Sequence, residues 1–235
     1  RRAVAPRLKM ATLLFQCPIC GATDSVVHKG ALTHPRAVCS ACGADWAVKR
    51  EFGHDFRLTL EHGPADLIGL EACLSELHDY VKAHLALCPD PDVTALGELV
   101  AGTPLLVAHR CRLVPYDESL LRRAPIRGEA PAIRHDDHAS VPSNKALGTG
   151  ELIVSDQEML WRNETHAMRF SLAKVSSLHL LAQNVLIARY GSALYTFWLG
   201  RENAIKWIAY LDAVLNGQGQ PVAQGAVRRV PVSPY

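Results

Sequence analysis

"FQCPICGATD", residues 15–24, and "AVCSACGADW", residues 37–46, share one pattern: a C-x-x-C turn followed by glycine. The first holds Cys17, Cys20 and Gly21, the second Cys39, Cys42 and Gly43, with eighteen residues between the pairs. Such a turn puts two sulfurs on one side of a tight loop. The glycine lets the backbone curl so that amides point at the thiolates. Two turns together supply four soft ligands in a tetrahedron, the arrangement zinc takes. Iron held by the same four sulfurs, a disulfide or an unbound site are the alternatives; one zinc per chain is the leading expectation. Four thiolates fill the coordination sphere and leave no position for water or substrate, so the ion is expected to be structural. His28, His34 and His54 are possible substitutes for a cysteine, but four cysteines suffice, and these histidines are expected at the surface.

The chain has 235 residues, enough for one or two domains, with a hydrophobic fraction of 49% and a formal net charge of +2. The charge is unevenly spread. Residues 1–62 carry nine Lys/Arg against five Asp/Glu, residues 63–102 one against seven, and residues 103–215 thirteen against eleven. A mildly basic front is thus followed by an acidic middle, which reads as ordinary solvated surface or as pairing between the two. No apolar run reaches the roughly 18 residues of a membrane span. "ATLLF" at 11–15 is too short for a signal-peptide core. A cytoplasmic, reducing location is the expectation, with the cysteines as metal ligands or core residues. Met10 is a possible start, which would make residues 1–9 an extension.

Between and after the cysteine pairs, "DSVVHKG", "ALTHPRAV" and "DWAVKREF" read as three short strands. Two knuckles clamping a small antiparallel sheet over residues 11–57 resemble zinc-ribbon proteins of the CPxCG…CxxCG type. The resemblance implies fold and metal but not function, since ribbons serve nucleic-acid binding, protein docking and bare stability alike. Lys29, Arg36, Lys49 and Arg50 with Trp46 could form a basic and aromatic surface for nucleic acid. The favoured reading packs Trp46 into the sheet and leaves the cations solvated.

Residues 63–102 read as a helical connector. In 64–87, Leu67, Leu70, Leu74, Leu77, Val81 and Leu85 recur at spacings of three and four, which predicts one long helix. A shorter helix is expected after Asp92, ending at Gly102. The leucine stripe is expected to pack on the flanking domain, with a two-helix dimer seam along Leu67–Leu85 as the alternative. Cys73 and Cys88 read as small core residues, and His78 and His84 receive no ligand role.

From residue 103 the pattern becomes that of a strand meander. "PLLVAHRCRLV" at 104, "ELIVS" at 151, "MLWRN" at 159, "AMRFSL" at 167, "VSSLHLLA" at 175, "VLIARY" at 185 and "ALYTFWL" at 193 are separated by short polar turns, apart from a long insertion at 115–150. Ile205, Ile208, Leu211 and Leu215 predict a terminal amphipathic helix. Seven strands and a closing helix over 103–216 resemble the pleckstrin-homology (PH) superfold. "GTGELIVSDQEMLW", "FSLAKVSSLHL" and "YTFWL" resemble the GRAM and bacterial PH-like patterns, with Tyr195, Phe197 and Leu199 facing inward. That resemblance implies lipid-headgroup or peptide binding rather than chemistry. Arg162, Arg169 and Lys174, with Arg122, Arg123, Arg127 and Arg134 in the insertion, are the candidate headgroup cations, diluted by Glu158, Glu164, Asp136 and Asp137. "HDDH" at 135–138 lacks ligand spacing and reads as surface loop. The Gly/Gln/Pro-rich tail, 217–235, reads as flexible. No Gly-rich phosphate loop, nucleophile elbow or paired-carboxylate motif appears, so no catalytic and no organic-cofactor residue is nominated.

The expected protein is α+β and mainly β: a zinc ribbon, a helical connector and a seven-stranded PH-like barrel with a C-terminal helix. Its expected role is that of a non-enzymatic adaptor docking a protein partner. A nucleic-acid-binding regulator using the ribbon and a peripheral membrane protein using the barrel are the alternatives.

Overall fold

The computed structural model describes residues 10–30, 34–50, 55–87, 89, 93, 96, 98–116 and 147–217. His54, Cys88, the arginines at 122–134, "HDDH", most of the insertion, most of the expected helix after Asp92 and the tail beyond 217 lie outside the described residues. The protein is mainly β and divides into two compact units, Arg1–Cys88 with Ile205–Tyr235, and Pro89–Ala204.

The first unit begins with the short helix α1 (Met10–Leu13), followed by strands β1 (Val26–Lys29), β2 (Arg36–Cys39), β3 (Asp45–Arg50), β4 (Phe56–His62) and β5 (Glu71–Cys73), and then helix α2 (Leu74–Ala83). The strands form one antiparallel sheet in sequence order. The three ribbon strands form where expected, but the sheet extends past residue 57 into β4 and β5. Alternation explains the sheet's two faces. Trp46, Val48, Leu58 and Leu60 are buried, while Lys49, Thr59 and Glu61 between or beside them are not.

The long helix expected over 64–87 is only α2. Leu67 and Leu70 keep helical spacing, yet they belong to a turn that folds back on β4. Gly69 takes φ 87°, and its N–H donates to the Leu60 carbonyl at 2.8 Å. The Leu60 N–H in turn donates to the Leu70 carbonyl at 2.9 Å. A left-handed residue ends any helix there, and the strand pairing of Glu71–Cys73 with Arg57–Thr59 takes over. Cys73 caps the N-terminus of α2, and its N–H donates to the Glu76 carboxylate at 2.7 Å.

Leu67, Leu74 and Leu77 join Met10, Leu14, Val26, Trp46, Leu58 and Leu60 in one core cluster, and Val81 and Leu85 are also buried. Leu67, Leu74 and Leu77 are therefore covered by the core of their own unit, and with Val81 and Leu85 also buried the stripe offers no free dimer seam or docking face. His78 holds α2 to α1 through Nδ1, 2.8 Å from the Leu13 carbonyl oxygen.

The second unit contains β6 (Pro104–Tyr116), β7 (Thr149–Ser155), β8 (Glu158–Arg162), β9 (Ala167–Ser171), β10 (Val175–Ala182), β11 (Val185–Tyr190) and β12 (Ala193–Trp198). All seven expected strands form one antiparallel sheet in the order β10-β11-β12-β6-β7-β8-β9. The expected barrel is an open sheet: β9 and β10 end it rather than pairing. The polar turns are locally determined. The Ser155 hydroxyl accepts the Gln157 and Glu158 N–H groups, and the Asn163 side-chain Oδ1 accepts those of Thr165 and His166.

Strand β6 is long enough to pair with β7 along its first part and with β12 through Arg112–Tyr116. Phe170 meets Tyr190, Tyr195 and Phe197 edge to face, so Tyr195 and Phe197 point inward as expected. Trp161 is buried, and its Nε1–H donates to the Cys111 carbonyl at 3.0 Å. Val93 and Val100 pack with Val107, Ile153 and Leu160, so the stretch expected as a single connector, 63–102, is shared between the two units.

Helix α3 (Ala204–Leu215) follows β12. The sequence reading assigns it to the barrel, whereas from Ile205 onward it groups with the first unit.

Leu74 is almost fully enclosed, so Leu74→Glu would bury a carboxylate without a partner. A loss of at least about 3 kcal/mol from the first unit is expected. Limited proteolysis should show cleavage in residues 10–87 while 147–203 stays protected. An unchanged melting profile would contradict the burial of the stripe.

Candidate metal centre

The two knuckles are built alike. In the first, the Cys17 N–H donates to the Ala22 carbonyl at 3.0 Å and the Gly21 N–H to the Cys17 carbonyl at 2.8 Å. In the second, the Cys39 N–H donates to the Ala44 carbonyl at 2.8 Å and the Gly43 N–H to the Cys39 carbonyl at 3.0 Å. Gly21 and Gly43 take φ 72° and 74°, a left-handed conformation that L side chains resist. Antiparallel pairing of β1 with β2 places Val26 opposite Cys39, which brings the second knuckle onto the first.

All four sulfurs, of Cys17, Cys20, Cys39 and Cys42, lie within 4.8 Å of one another. Cys17 Sγ is 3.9 Å from Cys42 Sγ, and Cys20 Sγ is 3.8 Å from Cys39 Sγ. A tetrahedron with zinc–sulfur bonds of about 2.3 Å has edges of about 3.8 Å, so this spacing suits a four-thiolate ion. It is much longer than the sulfur–sulfur bond of a disulfide, about 2.05 Å. The donor set is purely thiolate and therefore closed.

The surroundings tune the sulfurs unequally. Burial pushes the Cys17 thiol up, although the Cys20 and Ile19 backbone N–H groups point at its sulfur. Burial likewise raises Cys20 to about 11 despite the Ala22 N–H. Cys39 is held down at about 7: burial opposes this, but Ser25 and the Cys42 and Ala41 N–H groups stabilise its thiolate. Ser25 Oγ lies 3.2 Å from Cys39 Sγ. Amides aimed at sulfur are the feature that the glycine after each C-x-x-C was expected to permit.

Other residues singled out in the sequence fall elsewhere. His28 and His34 are exposed and outside the cluster. Trp46 is buried in the core, and Arg36 is paired with Asp45 at 2.8 Å and Glu61 at 2.6 Å. The proposed basic and aromatic surface therefore lacks its aromatic, and one of its cations is neutralised. In the second unit, Arg162 pairs with Glu151 at 2.8 Å, and Arg169 pairs with Glu158. Two of the three described headgroup cations are thus neutralised by carboxylates.

Sequence reasoning missed the layer behind the first knuckle: Gln16, Thr23, Asp24 and Ser25, with Lys206 and Tyr210 from α3. One signal was available. Lys206 is a lone cation in the first half of the apolar helix "AIKWIAYLDAVL".

Protein purified under reducing conditions is expected to carry one zinc per chain by metal analysis. Cys39→Ser should lose most of it and unfold the first unit, since a structural ion supplies much of a small module's folding free energy. Zinc uptake at pH 8 should release protons, because Cys17 and Cys20 are thiols there and must become thiolates. An indicator-dye titration showing no release would contradict thiolate ligation. Gly21→Ala and Gly43→Ala should each destabilise the loaded unit by about 1–2 kcal/mol in chemical denaturation. Nothing lies within 4 Å of either added Cβ, so the whole effect is backbone strain.

No protein-family model, curated protein or solved structure matches the chain, so the reading of this centre stands on its own geometry.

Proposed function

We propose that the protein is a non-enzymatic adaptor. Its zinc ribbon is a structural module, and its PH-like second unit docks a segment of a partner protein. Supporting the PH-like reading, the second unit is a single seven-stranded antiparallel sheet in the order β10-β11-β12-β6-β7-β8-β9. Supporting a binding rather than catalytic role, the four-thiolate site leaves no open coordination position.

The observation that carries the docking reading is the edge strand β10. Among the described residues, the two sheets end in four edge strands: β1, β5, β9 and β10. Strand β1 carries Lys29, β5 has three residues beginning with Glu71, and β9 carries Arg169. Strand β10, "VSSLHLLA", has eight residues and no Lys, Arg, Asp, Glu or Pro. Leu180 is 45% exposed and Leu181 38%. Leu181 sits at a break in the register between Leu180 and Ala182, so both side chains reach solvent at this end of the edge. Two bulges interrupt the pairing of β10 with β11, at Ser176 and at Leu181, but the edge has no Lys, Arg, Asp, Glu or Pro to block strand addition, and it resembles the edges that extended peptides join.

Such contact is apolar and backbone-directed, so it should survive salt that screens phosphate or lipid binding. In a pull-down at roughly 0.5 M salt, well inside the screened regime, wild type should retain its partner. A Leu180→Glu/Leu181→Glu variant should lose it while keeping wild-type zinc content and melting temperature. If every bound protein washes off both chains, while nucleic acid or anionic vesicles bind wild type at low salt, the adaptor reading fails.

A further inference from the structure

The first knuckle is closed at its base by a single antiparallel bridge between Gln16 and Thr23. Gln16 immediately precedes Cys17, and its side chain is buried. Its Nε2 lies 2.7 Å from the Ala86 carbonyl, 3.1 Å from Thr23 Oγ1 and 3.2 Å from Tyr210 Oη. Tyr210 Oη is also 3.1 Å from Thr23 Oγ1. One turn earlier on the same face of α3, Lys206 is only 2% exposed, and its Nζ is paired with the Asp24 carboxylate.

Asp24 stands in a left-handed conformation, φ 52°, with its N–H donating to the Phe15 carbonyl at 2.7 Å. The next residue, Ser25, contacts the second knuckle. Its Oγ is 3.2 Å from Cys39 Sγ, and its carbonyl accepts the Ser40 N–H at 2.8 Å. Two consecutive residues thus join α3 to a ligand of the other knuckle.

A buried ammonium is tolerated only with its partner in place, and a strained non-glycine backbone persists only where its surroundings hold it. The contacts that hold Asp24 come from the metal loop on one side and from Lys206 on the other. We propose that α3 is a coupled part of the metal module. Docking of Lys206 and Tyr210 on Asp24, Thr23 and Gln16 positions the first knuckle and tightens metal binding, and loss of the ion loosens α3. The inference rests on the metal reading above, and linkage makes the effect reciprocal: the factor by which α3 tightens the metal is the factor by which the metal tightens α3.

The test uses the full chain and zinc itself. Competition with a chromophoric chelator measures zinc affinity for wild type, Lys206→Met and Tyr210→Phe. Tyr210→Phe keeps the ring and its packing and deletes only the hydroxyl, so it reports on positioning even if Lys206→Met fails to fold. Lys206→Met should weaken zinc about tenfold and Tyr210→Phe about threefold, in or near the range of ordinary site-to-site coupling. Asp212→Asn, at an exposed position of the same helix, should leave affinity unchanged. Hydrogen exchange supplies the reciprocal arm: removing zinc from wild type should deprotect the α3 amides of Ile205–Leu215 while those of β6–β8 keep their protection. Wild-type zinc affinity in a folded Tyr210→Phe protein, or unchanged α3 protection after metal removal, overturns the coupling. A wild-type chain without zinc overturns the metal reading instead, so the two failures are distinguishable.

Discussion

Four sulfurs brought to tetrahedral spacing are the constraint on which the first unit depends. Each pair is made locally, by a C-x-x-C turn closed with a left-handed glycine and two backbone hydrogen bonds. Bringing the pairs together is a tertiary event that requires β1 and β2 to align Val26 with Cys39. Burial raises the Cys17 and Cys20 thiols, so a cation bound here must displace protons from them. The same burial makes Ser25 and the knuckle amides important, because only hydrogen bonds to sulfur offset lost solvation.

Two buried polar side chains of this unit, Gln16 and Lys206, are satisfied by partners rather than by exposure. Gln16 is enclosed, yet its amide meets Thr23, Ala86 and Tyr210. Lys206 is enclosed and meets Asp24. Buried groups with partners cost little, whereas removing one partner strands the other, so such networks specify one arrangement of the chain. Here that arrangement includes a helix far along the sequence, which makes the ribbon larger than its own fifty residues.

The second unit is organised by a different principle. Its core is made of apolar strand faces, with Phe170 set edge to face against three aromatic neighbours and Trp161 anchored to the Cys111 carbonyl. Two of its cations are paired with its own acids: Arg162 with Glu151, and Arg169 with Glu158. In the Glu151 case burial opposes ionisation, but Arg162 and His109 prevail and hold the carboxyl below its ordinary range.

The knuckles, the three ribbon strands and all seven strands of the second unit were legible in the sequence, because each is set by local chemistry. Cysteine spacing, glycine after cysteine, and the Ser155 and Asn163 turns act over a few residues. Strands β4 and β5 were not legible. Leu67 and Leu70 have helical spacing, and only pairing with residues about a dozen positions earlier turns that segment into a fold-back and a strand. The placement of α3 was equally hidden. Its apolar period declares a buried face without naming what buries it, and the partner of Lys206 is 182 residues away. Periodicity reports that a side chain must leave water; which surface receives it is decided only when distant segments meet.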